Sequence, residues 1–144
     1  MAPVTGQEKD VLLEGPEVLV VKPGIPQVHE GPRERGETVL VLTSEALCSD
    51  EPVLGELLLR NMIYALVETV PAPRAVILVG TAVRLAGGGS AVLESVRTLE
   101  RQGVRVLLCS TSLEYLGVTP QAGVPTNVYH IVETLLHAKK TIVF

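Results

Sequence analysis

Cys109 is the residue of this 144-residue chain that is best placed to do chemistry. It follows an apolar run at residues 104–108 and precedes a short helical segment at residues 111–116, which Gly117 would close. A helix amino terminus carries unpaired N–H groups and a partial positive charge, which favour a thiolate over a thiol. A thiolate attacks sulfur in disulfides and persulfides. The sequence therefore offers Cys109 as a nucleophile, or alternatively as a small hydrophobic residue of the core.

Cys48 is the second thiol of the chain. It follows the first predicted strand, whose carboxyl end lies on the same edge of a parallel sheet as Cys109. Cys48 is either a resolving thiol or an ordinary loop residue. The two cysteines are too few and too far apart in sequence for a disulfide framework, which indicates a reduced, cytoplasmic protein.

Two further polar features are weaker candidates for a functional site. Residues 87–90 are glycine-rich and open a helix like a phosphate cradle, but they lack the Lys of a P-loop. A tight turn with Ser90 as the helix N-cap fits them better. His130 and His137 lie about 10 Å apart along one predicted helix, too far to share a metal. We therefore expect no metal and no cofactor.

Strand-like and helix-like patterns alternate from residue 38 to residue 144. This alternation predicts an α/β domain with a mostly parallel sheet between helices on both faces, of the flavodoxin-like kind. In such sheets, chemistry gathers at the carboxyl ends of the strands. Apolar runs predict strands at residues 39–42, 75–79, 104–108 and 141–144, and helical periodicity predicts helices at residues 53–70, 90–102, 111–116 and after Asn127.

Two of the helices carry specific expectations. The helix at residues 53–70 has one narrow polar stripe and is otherwise apolar, which predicts that it is largely buried. The last helix is predicted to turn four apolar side chains inward: Val128, Ile131, Val132 and Leu135.

Residues 1–37 differ from the rest because they hold five of the ten prolines. Proline removes backbone donors, so no long regular element fits there. We expect an extended arm with one short strand at residues 17–21, or alternatively a disordered leader.

Composition excludes several classes of function. The net charge of −4 and the absence of a basic stripe argue against nucleic-acid binding. No apolar run reaches the roughly 18 residues of a membrane-spanning helix, so we expect a soluble protein. The mean hydropathy of +0.37 is high, and the surplus apolar surface predicts a homo-oligomer.

Three segments together resemble the YedF-like branch of the DsrE-like superfamily, which is associated with selenium and sulfur metabolism. VRVLLCSTSLEYLG at residues 104–117 is similar to the family's strand followed by C-G-T-C-L, an aromatic residue and Gly. GTAVRLA with a following GS at residues 80–90 is similar to G-V-K-L-A and G-S, and NVYHIV at residues 127–132 is similar to N-M-Y-x-I-V. The resemblance covers residues 38–144.

This resemblance implies a DsrE-like fold and a sulfurtransferase-like sulfur relay. In related relay proteins a cysteine at this strand end carries a persulfide, and seven residues separate it from a following glycine, as seven residues separate Cys109 from Gly117. Ser110, Thr111 and Ser112, with backbone N–H groups, would then hold the anion, and no cofactor would take part.

The chain departs from the family at points that matter for the relay. Ser112 stands where the family has its second cysteine, and residues 1–37 contain no cysteine for a TusA-like C-P-x-P motif. A sulfur donor or acceptor would therefore be a separate protein. The alternative function is a non-catalytic, oligomeric binding or scaffold module of the same fold, and a weaker one is small-molecule binding at the strand ends.

Overall fold

Five parallel strands form the centre of the structure, a computed structural model that describes residues 36–144. The strands are β1 (Thr38–Leu42), β2 (Ala75–Leu78), β3 (Arg105–Cys109), β4 (Val124–Thr126) and β5 (Lys140–Val143). Their order in the sheet is β4-β3-β2-β1-β5, and every pairing is parallel. Residues 1–35, and with them nearly all of the predicted arm and its strand at residues 17–21, lie outside the described residues.

The three central strands divide the hydrophobic core into two layers. Side chains alternate between the two faces of a strand, and β1, β2 and β3 are buried on both. The first core layer contains Leu40, Leu42, Val76, Leu78, Val106 and Leu108. The second core layer contains Val39, Val41, Ala75, Ile77, Leu107 and Cys109.

Helices cover the two layers unequally. They are α1 (Pro52–Glu68), a 3₁₀ helix (Gly80–Ala86), α2 (Leu93–Arg101), α3 (Ser110–Leu116) and α4 (Val128–His137). All but α4 pack on the first core layer, and α4 packs on the second through Ile131. The chain steps from β1 to β4 in one direction and then returns to β5 beside β1. Because parallel crossovers are right-handed, that reversal places α4 on the opposite face. Helices on both faces of a parallel sheet confirm the predicted fold class.

Two elements were missing from the prediction, which put loops in their place. The 3₁₀ helix follows β2 directly, and β4 pairs with the carboxyl half of β3. Pro125 lies inside β4, where a proline is tolerated because β4 is an edge strand. Both elements are short and depend on contacts with α3 or β3 rather than on their own sequence.

The predicted start of the second long helix was wrong. Ser90 does not cap α2, which begins at Leu93. The Ser90 Oγ instead accepts a hydrogen bond from the Val92 N–H at 3.2 Å, and this local bond holds residues 90–92 in a turn.

The orientation of α4 differs from the prediction at two of four positions. Asn127 caps the helix as predicted, since its Oδ1 accepts from the His130 N–H at 2.9 Å. Ile131 and Thr134 are buried, but Val128 and Val132 are half exposed. Successive residues of a helix lie about 100° apart around its axis, so with Ile131 turned to the sheet its neighbour Val132 lies off the buried face. Val128 is the first residue of the helix and remains exposed at its amino-terminal end.

The helix α1 is less buried than its composition predicts. Ile63 and Val67 lie in the first core layer, whereas Val53, Leu54 and Leu58 are exposed in its amino-terminal half. The helix packs on only one side, so its outer apolar residues have no second layer to cover them. None of the helices within residues 36–144 is long and apolar enough to cross a membrane.

Replacing Gly55 with alanine should destabilise the fold. An added Cβ would lie 2.8 Å from the Cys48 backbone nitrogen and would also overlap the Cys48 carbonyl oxygen. Alanine has a helix propensity about 1 kcal/mol more favourable than that of glycine. Overpacking of the added Cβ against the backbone, however, destabilises the fold by about 1–3 kcal/mol. We expect a net loss in the free energy of unfolding, measured by urea denaturation.

Gly88 provides the matched control. An added Cβ there meets only the Gln121 Cγ, at 3.9 Å. Gly88→Ala should therefore stay within about 0.5 kcal/mol of the parent chain. Equal stability of the Gly55 and Gly88 variants would contradict the close approach of the Cys48 loop to α1.

Candidate functional site

The carboxyl ends of the central strands meet at one edge of the sheet. The register pairs Leu42 with Leu78 and Leu78 with Leu108, so the three strands end almost level. Cys109 follows Leu108 as the last residue of β3. The segment predicted to hold the chemistry therefore lies at the edge where parallel sheets place their ligands.

Cys109 belongs to the second core layer. It is a free thiol with 7% of its surface exposed, and it lies in the same apolar cluster as Ile77 and Ile131. It is also the N-cap residue of α3, whose amino terminus no side chain caps. The thiol is thus beside the amino-terminal N–H groups of α3, while apolar neighbours and α4 separate it from solvent.

The three residues after Cys109 have different environments. The Ser110 hydroxyl donates to the Thr126 carbonyl at 3.1 Å, which ties α3 to β4. The Ser112 hydroxyl accepts from the Gly80 N–H at 2.8 Å, which ties α3 to the start of the 3₁₀ helix. Thr111 is exposed. Two of the three hydroxyls thus hold neighbouring elements in place, and binding of an anion by this segment stays a prediction.

Ser112 occupies the position of the second cysteine in the resembling family. Its hydrogen bond to Gly80 gives this serine a structural role at the carboxyl end of β2. A hydroxyl cannot form the disulfide or persulfide that a second thiol would form. Cys109 therefore has no resolving thiol within its own helix.

Cys48 lies in the loop between β1 and α1. It is half-buried, and its Sγ donates to the Glu51 carbonyl at 3.5 Å. The strand β2 separates β1 from β3, so the ends of β1 and β3 are about 10 Å apart. Cys48 is not part of the cluster that contains Cys109. Its role as a second thiol stays a prediction.

His130 and His137 do not form a metal site with each other. His130 Nε2 lies 2.8 Å from Arg105 Nη2, and His137 Nδ1 lies 2.9 Å from the Glu133 carbonyl. Within residues 36–144, no three or more His, Cys, Asp or Glu side chains come close enough together to hold a metal ion.

A groove that the sequence analysis missed lies at the carboxyl edge, beside the 3₁₀ helix; we call it the Arg84 groove. It consists of a cavity of about 210 Å³ and a second cavity of about 530 Å³. Both are lined by Arg84 and Glu45, which form an ion pair at 3.0 Å, and by Gly89 and Ser90. These residues come from separate parts of the chain, so no local spacing could have revealed the groove. Its one signal in the sequence was the glycine-rich segment at residues 87–90, for which a tight turn was preferred to a phosphate cradle.

Comparisons with known proteins support the fold. The crystal structure of the ychN protein from E. coli aligns with 78% of this chain and 100% of its own, at 20% identity and a TM-score of 0.54. A protein of unknown function from Methanobacterium thermoautotrophicum, MTH1491, gives the same coverage and TM-score at 24% identity. No protein-family model matches the chain, and no curated protein matches it in sequence. At these identities the likeness concerns the fold alone. The chain therefore has a DsrE/YchN-like α/β fold.

Proposed function

We propose that this chain is a sulfur carrier of the YedF-like kind, in which Cys109 holds one sulfur atom as a persulfide. The observation that carries the proposal is the position of Cys109, which ends β3 and is the N-cap of α3. The resemblance of residues 104–117 to the persulfide-carrying segment supports it, as does the DsrE/YchN-like fold.

The transfer needs only thiol chemistry. The Cys109 thiolate attacks the outer sulfur of a donor persulfide, R–S–SH. An S–S bond forms between Cys109 Sγ and that sulfur, the S–S bond of the donor breaks, and the donor leaves as the thiolate R–S⁻. The proton stays on the transferred sulfur, whose oxidation state does not change. An acceptor thiolate then removes the sulfur by the same reaction.

The burial of Cys109 sets a condition on this transfer. Because the thiol lies in the layer that α4 covers, a donor reaches it only when α4 moves locally. Because Ser112 replaces the second thiol, α3 itself holds no acceptor, and the proposed acceptor is a thiol of another protein. Both cysteines are free, which fits a reducing compartment such as the cytoplasm.

Persulfide loading tests the proposal. The protein is incubated with a small persulfide donor and analysed by intact-mass spectrometry. We expect the parent chain to gain one sulfur atom that dithiothreitol removes, and Cys109→Ser to gain none at position 109. Peptide mapping locates the added sulfur.

Cys48→Ser is the matched control, because it removes the other thiol and leaves β3 and α3 unchanged. It should load as the parent chain does. Loading that follows Cys48 instead of Cys109, or no loading of the folded parent chain, would overturn the carrier function.

A second candidate function is an oligomeric binding module without chemistry, and a specific surface favours it. The outer face of α4 carries an exposed apolar stripe formed by Val128, Tyr129, Val132 and Leu136. Their exposed fractions range from 46% for Val132 to 87% for Tyr129. A second copy of the chain would cover this stripe by helix packing, as the high mean hydropathy of the sequence also suggests.

Leu136→Glu should weaken self-association. Leu136 is 79% exposed, so the change costs the monomer little, but it places a charge in a buried interface. Loss of one buried leucine corresponds to at least about a tenfold weaker association. Light scattering coupled to gel filtration, run over a concentration series, measures the mass of the oligomer and thus the strength of self-association.

Tyr115→Glu is the control for this surface, since Tyr115 is 88% exposed on α3, away from the stripe. It should leave the oligomer unchanged. A parent chain that stays monomeric at high concentration would contradict the second candidate.

A further inference from the structure

The Arg84 groove contains cationic donors that the structure leaves largely unused. Arg60 lines the 210 Å³ cavity from α1, and its guanidinium has no hydrogen-bond or ion-pair partner within residues 36–144. Arg84 lines the same cavity from the 3₁₀ helix. It donates only through Nη1, to Glu45 Oε2 at 3.0 Å, among the contacts of the described residues. A guanidinium has five N–H donors, so most of these donors are available to a ligand.

Two residues that line the same cavity have unused backbone N–H groups. Gly89 and Ala91 line it, and across the described part of the chain their N–H groups donate to no protein atom. Their neighbours are satisfied, since the Ser90 N–H donates to the Gly87 carbonyl and the Val92 N–H donates to Ser90 Oγ. Gly89 has a φ of +83°, the left-handed region that favours glycine. The same cavity is thus lined by two residues with unused N–H groups and by two arginines.

We propose that the Arg84 groove binds the phosphate group of a small organic phosphate monoester. Phosphate presents three terminal oxygens and close to two negative charges, whereas a carboxylate would be satisfied by one arginine alone. Arg60, Arg84 and the N–H groups of Gly89 and Ala91 are the donors. This site is separate from Cys109 and does not depend on the sulfur-carrier function.

Two carboxylates line the cavity as well and affect its affinity for an anion. The negative charges of Glu45 and Glu56 balance the positive charges of the two arginines in the free protein. The Glu45 and Arg84 side chains are 39% and 46% exposed, so their ion pair contributes little to stability and exchanges easily. An incoming phosphate replaces Glu45 as the partner of Arg84. Glu45 therefore competes with the ligand and lowers its affinity.

The adjoining cavity provides room for the organic part of the ligand. It is about 530 Å³ and continues from the shared residues Arg84 and Gly89 toward Gly117, Val118 and Thr119. Val118 also packs against the first core layer, which gives this half of the groove an apolar surface. An organic phosphate thus gains contacts that inorganic phosphate lacks.

Amide NMR of the ¹⁵N-labelled protein tests the site, with phenyl phosphate, inorganic phosphate and benzoate as probes at constant ionic strength. Phenyl phosphate should shift the Gly89 and Ala91 signals saturably, at lower concentrations than inorganic phosphate, and benzoate should bind more weakly. Arg60→Gln and Arg84→Gln should each raise the Kd by about tenfold, the loss of one charged hydrogen bond. Glu45→Gln should lower the Kd because it removes the competitor.

Arg105→Gln is the matched control, because Arg105 lies at the start of β3, near His130 and outside the groove. It should leave the Kd unchanged, as should Cys109→Ser. Arg84→Gln removes only an exposed ion pair, so it should fold normally. The proposal fails if the Gly89 and Ala91 signals do not saturate with phenyl phosphate. It also fails if the Arg105 variant loses as much affinity as the Arg60 and Arg84 variants.

Discussion

The alternation of side chains along β3 is the constraint on which the rest of the site depends. Residues at a spacing of two share a face, so Val106 and Leu108 enter the first core layer while Leu107 and Cys109 enter the second. The flanking strands keep this assignment, because a shift of one residue would exchange both layers. The thiol is consequently directed to the face that α4 covers, and the first core layer remains free of it.

The proposed sites lie on different parts of this fold. The proposed sulfur chemistry belongs to the second core layer, beneath α4. The proposed phosphate site belongs to the helices over the first core layer, where Arg60 and Arg84 line a groove. The proposed docking stripe lies on the outer face of α4. The helix α4 thus packs against the layer that contains Cys109 with one face and carries the apolar stripe on the other.

Much of the fold could be predicted from sequence because its signals are local. Continuous apolar runs marked the buried strands, and Asn127 and Gly117 marked helix ends that the structure confirms. The direction of the Cys109 side chain could not be predicted, since the strand was expected to end one residue earlier. Because β3 extends to Cys109, the direction of the Cys109 side chain follows the alternation of side chains along the strand. The Arg84 groove was missed because tertiary packing alone brings Arg60, Arg84 and Gly89 together.

The accessibility of Cys109 in the folded protein tests the central claim most directly. The rate of its alkylation by iodoacetamide, measured by mass spectrometry, is compared with the rate of global unfolding under the same conditions. A sulfur carrier predicts labelling much faster than unfolding, through local movement of α4, and faster still in Asn127→Ala, which loosens the first turn of that helix. Labelling that occurs only at the rate of global unfolding would mean that Cys109 is a core residue, and it would contradict the relay.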